Sequence, residues 1–145
     1  MILPYPPAGR SRIRVKAFAL ILDERGDHHA VARMSTTEQP AFHRPLGGTV
    51  ERGERSADAV VREIAEALGA TLVEPELLGV LENIFTLEGE TRHEVVFVYA
   101  GRLAEREVVP SWVEWRPVEG WDDVPLLPVG LQELLDAWLS RGSGH

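Results

Sequence analysis

Three glutamates, an arginine and a pair of glycines stand close together in the chain and form its clearest chemical group. The carboxylates of Glu54, Glu63 and Glu66 offer the oxygen ligands that Mg²⁺ prefers. Because Mg²⁺ keeps several waters, two or three carboxylates and one backbone carbonyl make a sufficient protein shell. Gly47 and Gly48 have no side chain to block a ligand, and either can offer that carbonyl. The group therefore indicates a divalent-metal site.

A helix is expected to carry two of these acids. Ser56 is its expected N-cap, and the helix is expected to run to about Leu68 and to stop at Gly69 in the left-handed conformation. At about 100° per residue, Glu63 and Glu66 share an outward ridge, where their repulsion costs roughly a few tenths of a kcal/mol unless a cation offsets it. The apolar stripe that packs on a sheet consists of Ala57, Val60, Val61, Ile64 and Leu68.

Two arginines accompany the acids. Arg62 neighbours the ridge, and its natural role is to pair with Glu51 or Glu54 and so to hold the loop against the helix. Glu54 is accordingly either a second metal contact or the partner of Arg62. Arg44 has the reach to bind a substrate phosphate, and the alternative is an exposed arginine with no role in binding.

The histidines and tryptophans give weaker indications of function. His28 and His29 lie in an expected turn, where histidines are usually on the surface. Three tryptophans lie on or near a predicted strand: Trp112, Trp115 and Trp121. Stacking on a nucleobase is one use for such rings, but aromatic residues on strands usually fill the core. Trp138 lies on the apolar stripe of the last helix and is expected in the core or at a homodimer interface.

Strands and helices alternate around this group. The strands are expected at 13–22, 29–34, 42–50, 72–85 with a bend at Pro75, 93–101 and 112–115, and the helices at 56–68 and 128–139. The first two strands are expected to form a hairpin through the turn at 23–27. Residues 1–10 are expected to be an extended arm, and residues 140–145 a frayed tail. The order predicts an α/β fold in which helices cover a mixed sheet.

Composition narrows the choice of function. The chain has 145 residues, a length that favours one domain, and its formal charge is −8. That charge repels nucleic-acid polymers unless a local basic patch or bound divalent cations offset it, so we expect no polymer partner. There is no cysteine, which excludes disulfides, zinc–thiolate sites and thiol nucleophiles. No apolar stretch approaches the ~20 residues of a spanning helix, so we expect a cytoplasmic protein that does not cross a membrane.

The segment from Gly48 to Ala70 resembles the Nudix box. That box has a glycine, a glutamate six positions later, and then Arg-Glu-aliphatic-any-Glu-Glu-any-Gly-aliphatic. The residues on this pattern are Gly48, Glu54, Arg62, Glu63, Ile64, Glu66 and Gly69, with Ala70 a weak fit to the last position. Ala67 stands where the box has its second adjacent glutamate.

The resemblance implies one Nudix domain over residues 1–145, an α/β/α sandwich with a mixed sheet flanked by helices. It also implies Mg²⁺- or Mn²⁺-dependent hydrolysis of a nucleoside diphosphate linked to another moiety. By position in the box, Glu66 is a metal ligand and Glu63 a ligand or the general base, with Gly47 supplying a carbonyl. The base sometimes comes instead from a downstream loop in this family. The downstream candidates are Glu82, Glu94, Glu105 and Glu107.

Ala67 leads to an alternative to the hydrolase function. Position 67 normally supplies a metal ligand in the family, so its methyl group removes one charge from the site. Either the remaining acids still hold the metal once substrate phosphates add ligands, or the chain keeps the fold and binds nucleotides with weak or no hydrolysis. A purely structural interaction domain is the third class.

Overall fold

The computed structural model describes residues 12–104 and 109–142. The expected arm, the last three residues of the expected tail, and Glu105 and Glu107 lie outside the described residues. Within the described parts of the chain, no helix is long and apolar enough to cross a membrane.

Six strands form one mixed sheet with a helix on each face. The elements are β1 (Ile13–Ile21), β2 (His28–Met34), β3 (Phe42–Thr49), α1 (Ser56–Leu68), β4 (Leu72–Leu87), β5 (Glu90–Leu103), β6 (Val113–Pro117) and α2 (Leu131–Ser140). The strand order is β4-β5-β1-β3-β2-β6. The pair β1 and β5 is parallel, and the other neighbours are antiparallel.

The predicted hairpin of the first two strands is wrong, because β3 lies between them. Its first half, Phe42–Pro45, pairs with β2, and its second half, Leu46–Thr49, pairs with β1. β1 and β2 meet only at an isolated bridge between Leu22 and His29. β1 already has ladder partners on both sides, β3 and β5, so it has no free edge for β2.

Alternate residues of β1 enter two separate cores. Ala17, Ala19 and Ile21 pack on the side of α1, and Phe18 and Leu20 pack on the side of α2. Every one of these side chains is at least 97% buried. Burial on both faces requires a layer on each side of the sheet, which confirms the predicted α/β/α sandwich.

Helix α1 has the predicted length, but its N-cap differs from the expectation. Arg55 is the N-cap and makes no side-chain capping bond, because a guanidinium has no acceptor for a helix N–H. The Ser56 hydroxyl is hydrogen-bonded to the Tyr99 hydroxyl at 2.6 Å. At the other end, Gly69 has a φ of 66° and donates its N–H to the carbonyl of Ala65, as expected for a left-handed cap.

The bend expected at Pro75 is a bulge inside one long strand. Glu74 has a φ of 47°, and the register between β4 and β5 shifts between Val73 and Glu76. Because the ladder resumes after the shift, β4 continues to Leu87 and runs beside β5 along most of its length.

Several aromatic and histidine side chains differ from the sequence-based expectation. Trp112, Trp115 and Trp121 are more than a third exposed, so they do not fill the core. Trp138 is buried against α2's side of the sheet, where its indole N–H donates to Glu76, and it therefore belongs to the core rather than to a homodimer interface. His29 is fully buried on β2 instead of lying in a surface turn.

Candidate functional site

The two glycines of β3 lie at positions where a side chain does not fit. Gly47 has a φ of 153°, and a Cβ there would collide with the carbonyl oxygen of Ala17 and with Phe18. A Cβ on Gly48 would collide with the carboxylate of Glu63. Glu63 therefore lies directly against the backbone of β3, so the helix acid and the glycine pair meet as the sequence predicts.

Arg62 joins helix α1 to the loop that precedes it. Its Nε donates to Glu54 Oε2 at 2.8 Å, and its Nη2 donates to Glu54 Oε1 at 3.0 Å. The same Nη2 donates to the carbonyl of Thr49 at 3.0 Å. Of the two partners considered from the sequence, Arg62 binds Glu54. Glu51 contacts Glu54 through its backbone: its N–H donates to Glu54 Oε1 at 3.0 Å, and its carbonyl accepts from the Glu54 N–H at 3.0 Å. The two-pronged contact between Arg62 and Glu54 ties the loop to the helix.

The same guanidinium also reaches the two acids of the helix ridge. Arg62 Nη1 lies 3.0 Å from Glu63 Oε1 and 3.4 Å from both carboxylate oxygens of Glu66. Hydrogen bonding from Arg62, supported by the Glu51 N–H, lowers the pKa of Glu54 to about 2, and Glu54 in turn raises the pKa of Arg62. Glu54 therefore stays ionised well below neutral pH.

Exposure distinguishes the two helix acids. The Glu63 side chain is 22% exposed and that of Glu66 is 62% exposed. Glu63 Oε1 is held by Arg62, while Oε2 accepts no hydrogen bond from any residue that the structure describes. Glu63 is thus the shielded acid beside the glycines, and Glu66 lies at the solvent edge.

The donor set fits a hard divalent cation that keeps part of its water shell. Its protein atoms are the oxygens of Glu63 and Glu66, and the backbone of Gly48 lies against the Glu63 carboxylate. Over the described ranges, no three His, Cys, Asp or Glu side chains converge to hold a metal by themselves. The exposed methyl of Ala67 adds no ligand on the ridge. A cation here would need further oxygens from water or from a substrate.

A cleft of about 510 Å³ opens beside the first half of β3, where Phe42 and Arg44 line it. Arg44 lies in it, with its Cζ 5.4 Å from the centre of the Phe18 ring. The Nε of Arg44 is buried and has no hydrogen-bond partner among the described residues. Burial lowers the pKa of Arg44, and the charge of Glu94 acts in the opposite direction. Arg44 therefore presents a partly desolvated guanidinium to the cleft.

Thr49 connects this cleft to the acids. Its carbonyl accepts a hydrogen bond from Arg62, and its hydroxyl accepts one from Lys16 Nζ at 3.0 Å. Lys16 itself lines the cleft. Lys16 was not predicted from the sequence, although one signal was available: a lysine inside a strand whose other residues are mostly apolar.

The structure separates the downstream acids. Glu94 lines the cleft and accepts a hydrogen bond from Asn83 Nδ2 at 3.4 Å. Glu82 is 71% exposed, pairs with His93 Nε2 at 3.0 Å and is not among the lining residues of the cleft. Glu105 and Glu107 lie outside the described residues.

Comparison with known proteins adds independent information. The family model described as "NUDIX domain" matches residues 12–139. The protein named "NAD-capped RNA hydrolase NudC" of Pseudomonas aeruginosa (strain LESB58) is 29% identical over 136 residues, which are 90% of this chain and 46% of the relative. The chain therefore spans about half the length of the curated relatives it matches.

Solved structures agree on the fold. A NUDIX hydrolase from Nitrosomonas europaea superposes with a TM-score of 0.65 at 14% identity, covering 90% of each chain. A UDP-X diphosphatase superposes with a TM-score of 0.63 at 18% identity, covering 95% of this chain and 68% of that one. At such low identities these similarities establish the fold alone.

Proposed function

This chain belongs to the Nudix family, and from that premise we propose that it is a metal-dependent pyrophosphohydrolase. Its substrate would be a nucleoside diphosphate linked to another moiety. The observation that carries the proposal is the meeting of Glu54, Glu63 and Glu66 at Arg62, with Glu63 against Gly48. Three acids that share one arginine repel one another, and this repulsion is offset when a cation binds them together with a polyanionic substrate.

The reaction is the addition of water across a P–O–P bridge. The oxygen of water forms a bond to one phosphorus, the bridging P–O bond breaks, and two phosphate monoesters leave. The barrier comes from negative charge on the substrate and on the forming and leaving oxygens. A bound Mg²⁺ or Mn²⁺ neutralises part of that charge and lowers the pKa of a coordinated water.

Each residue of the site has a proposed role. Glu63, Glu66 and the carbonyl of Gly47 hold the cation, and Glu63 alternatively takes the proton from the attacking water. Because both oxygens of Glu54 are occupied by Arg62, we assign Glu54 to holding that arginine rather than to the metal. Arg44 binds a substrate phosphate, since its Nε has no partner within the described structure.

Of the two downstream acids that the structure describes, Glu82 and Glu94, Glu94 is the better alternative base. It lines the cleft, whereas Glu82 is largely exposed and paired with His93. A base has to lie within hydrogen-bond reach of the attacking water, directly or through one water. Glu63 remains the first choice because it lies against the glycine pair.

The names of the relatives suggest where to look for substrates. NudC is named for NAD-capped RNA and the structural neighbour for UDP-X, and both names describe a diphosphate that joins two groups. We propose the same bond for this chain, with the attached groups to be identified by assay.

The test is a panel of nucleoside triphosphates, NAD and nucleoside-diphosphate sugars, incubated with the protein and with Mg²⁺ or Mn²⁺. We expect metal-dependent release of a nucleoside monophosphate or phosphate, and Glu63→Gln should lower kcat without abolishing the nucleotide-induced rise in melting temperature. A melting shift without turnover would favour the binding function that Ala67 suggests. The absence of both turnover and shift would overturn both functions.

A further inference from the structure

The two faces of the sheet differ in chemical character at the start of β1. Arg14 and Lys16 point to one face, and Ile13 and Val15 point to the other, because successive side chains of a strand alternate. In a half-buried strand the apolar side is normally the one that packs on the core. Here Ile13 is 58% exposed, so the apolar side of β1 is largely uncovered at this end by the residues that the structure describes.

This apolar side continues across β5 and β4, because residues paired in register project from the same face of a sheet. One row of side chains is Ile84, His93 and Ile13, and the next row is Glu82, Val95 and Val15. Thr86 and Thr91 form the row beyond, and Val80 and Leu77 continue the face along β4 toward α1. We call these ten side chains the apolar face.

Helix α1 covers the same side of the sheet only beyond this region. Ala17 and Ala19, the next residues of β1 on this side, are fully buried in the core that includes Val60 of α1. Along β4 the exposed fraction is 49% at Leu77, 48% at Val80 and 63% at Ile84. Large apolar side chains that are exposed next to one another mark an interaction surface.

Strand β4 bounds the apolar face and is the outermost strand at its end of the described sheet. Native proteins usually protect such edges with lysine, proline or a bulge. In β4 these features lie early: Pro75 and both register shifts precede Val80. From Val80 to Leu87 the strand pairs regularly with β5, and Glu82 is its one charged residue. This part of β4 therefore has an unprotected edge beside an apolar face.

The polar groups of the apolar face suit a second copy of the chain. Its acidic and basic side chains are Glu82 and His93, whose Oε2 and Nε2 atoms lie 3.0 Å apart. In a two-fold contact, residues i and j of one copy meet j and i of the other, so each Glu82 can meet the other copy's His93. Elsewhere, a chain with a formal charge of −8 tends to repel its own copy.

The size of the apolar face indicates how strong such a contact would be. From Leu77 to Thr86 it extends about 30 Å along β4, and it is three strands, or about 14 Å, wide. Two copies would together bury about 840 Å², which lies at the low end of specific interfaces, where association is weak and transient.

We propose that two copies of this chain associate through the apolar face, each covering the face of the other around a two-fold axis. The homodimer interface considered from the sequence for Trp138 is thereby assigned to β4 rather than to α2, where Trp138 is part of the core. This inference goes beyond the proposed function and does not depend on whether the chain hydrolyses a substrate.

The first test is sedimentation velocity between about 2 µM and about 200 µM, a range chosen for a weak interface. The variant is Val80→Lys with Ile84→Lys, because lysine is a residue that protects natural edge strands. The matched control is Trp112→Lys: Trp112 is 48% exposed and lies directly before β6, the strand at the opposite edge. Thermal melting of each variant shows whether it is folded.

We expect the unmodified protein to change from monomer to dimer over this range. The double variant should raise the dissociation constant by more than about 100-fold, since it removes central apolar contacts and adds like charges. The control should associate like the unmodified protein. A monomeric unmodified protein at every concentration would overturn the proposal. Undiminished association in the folded double variant, or an equal loss in the control, would also overturn it.

A second test uses the absence of cysteine from the chain. Ile84→Cys introduces a single thiol on the apolar face, and Trp112→Cys introduces one at the opposite edge. The rate at which a maleimide labels residue 84 should fall as the protein concentration rises, because the second copy covers it, whereas labelling of residue 112 should stay constant. A constant rate at residue 84 in a protein that dimerises would place the interface elsewhere and contradict the proposal.

Discussion

Arg62 is the residue at which the loop and the helix of the site are joined. It donates two hydrogen bonds to Glu54 and also contacts Glu63, Glu66 and the carbonyl of Thr49. A planar guanidinium can satisfy these acceptors at once, whereas the ammonium of lysine is a single compact charge. The acids are therefore positioned by the shape of Arg62 as well as by its charge.

We expect Arg62→Lys to lower kcat/KM by about 10- to 100-fold, a typical effect of losing a residue that orients metal ligands. The Glu51 N–H, which donates to Glu54, should exchange with deuterium faster in the variant because Glu54 loses its two-pronged partner. Arg55→Lys is the matched control, since Arg55 is exposed in the same loop. Unchanged activity in Arg62→Lys would contradict the role of Arg62 in positioning the acids.

Ala67 is the residue at which this chain departs from the Nudix box. Restoring a carboxylate by Ala67→Glu should raise Mg²⁺ affinity and the hydrolysis rate, because it adds an oxygen ligand to a site where described side chains alone do not hold a metal. Mg²⁺ titration by calorimetry and a turnover assay measure the two effects. Ala65→Glu is the control: residue 65 is exposed and lies about 200° around the helix from residue 67, so this variant should change neither the Mg²⁺ affinity nor the hydrolysis rate. Equal results for both variants would place residue 67 outside the site.

At the scale of elements, strand β3 supplies the backbone surface on which the site is built. Its two glycines make different demands. Gly47 is packed against the backbone of β1. The two nearest backbone atoms, the Ala17 carbonyl oxygen and the Phe18 Cα, cannot move without disturbing the pairing of β1 with β3. Gly48 faces the end of the Glu63 side chain, which can rotate away. Stability and activity should therefore respond differently to substitution at the two positions.

We expect Gly47→Ala to reduce the free energy of unfolding by roughly 3 kcal/mol or more, the combined effect of backbone strain and overpacking. Gly48→Ala should leave most of the stability but lower kcat strongly, because the new methyl group displaces the Glu63 carboxylate. Gly53→Ala is the control for strain alone: its φ is 81° and nothing lies within 4 Å of the added methyl, so we expect a loss of about 1–2 kcal/mol.

Denaturant unfolding and a turnover assay on the three glycine variants give the comparison. An inactive Gly47→Ala variant that is as stable as the unmodified protein would contradict the tight packing of β3 on β1. A fully active Gly48→Ala variant would show that the position of Glu63 against β3 does not matter for the reaction.

At the scale of the whole molecule, a buried basic cluster joins strands β2, β3 and β6. Arg116 Nη1 donates to His43 Nδ1 at 3.0 Å, so the proton of neutral His43 is on Nε2, which lies 3.5 Å from Glu114 Oε1. His29 is fully buried near both, and neither of its ring nitrogens has a partner in the described structure. The cluster makes the stability of the fold depend on pH.

Burial, followed by the charge of Arg116, lowers the pKa of His29 from 6.5 to about 4. Between these values the unfolded chain binds a proton that the folded chain does not, so stability rises with pH through this window and falls on acidification. His29 alone should reduce the free energy of unfolding by roughly 2 kcal/mol between pH 7 and pH 5. Denaturant unfolding at the two pH values measures this difference.

His29→Leu should flatten much of the pH dependence, leaving the share of His43, whose pKa burial also lowers. His28→Leu is the control, because the His28 side chain is 42% exposed. An unchanged pH dependence in His29→Leu would rule out His29 as its source. Glu54 also loses its ion pair on acidification, but only as pH falls toward 2, below the window used here.

Most of the helix and strand positions were predictable from the sequence, because periodicity reports burial directly. The continuous apolar run at 17–22 predicted a central strand, and β1 is buried on both faces. Strand pairing was harder to predict from the sequence, because the short polar turn after β1 is typical of a hairpin. Nothing in the residues around Asp23 indicates that β3, which follows β2, enters between the two strands.

The sequence by itself determined the site's local part: the glycines, the loop acid and the ridge of α1, whose relative positions follow from the geometry of one loop and one helix. Only the tertiary structure decided that Lys16 meets Thr49, 33 residues away, that Arg44 lies over Phe18, and that Lys16 and Arg44 line the same cleft. A helix repeats its geometry within a few residues and so leaves a periodic pattern. Contacts between distant strands depend on which strands pair, and the spacing of residues along the chain does not indicate which strands pair.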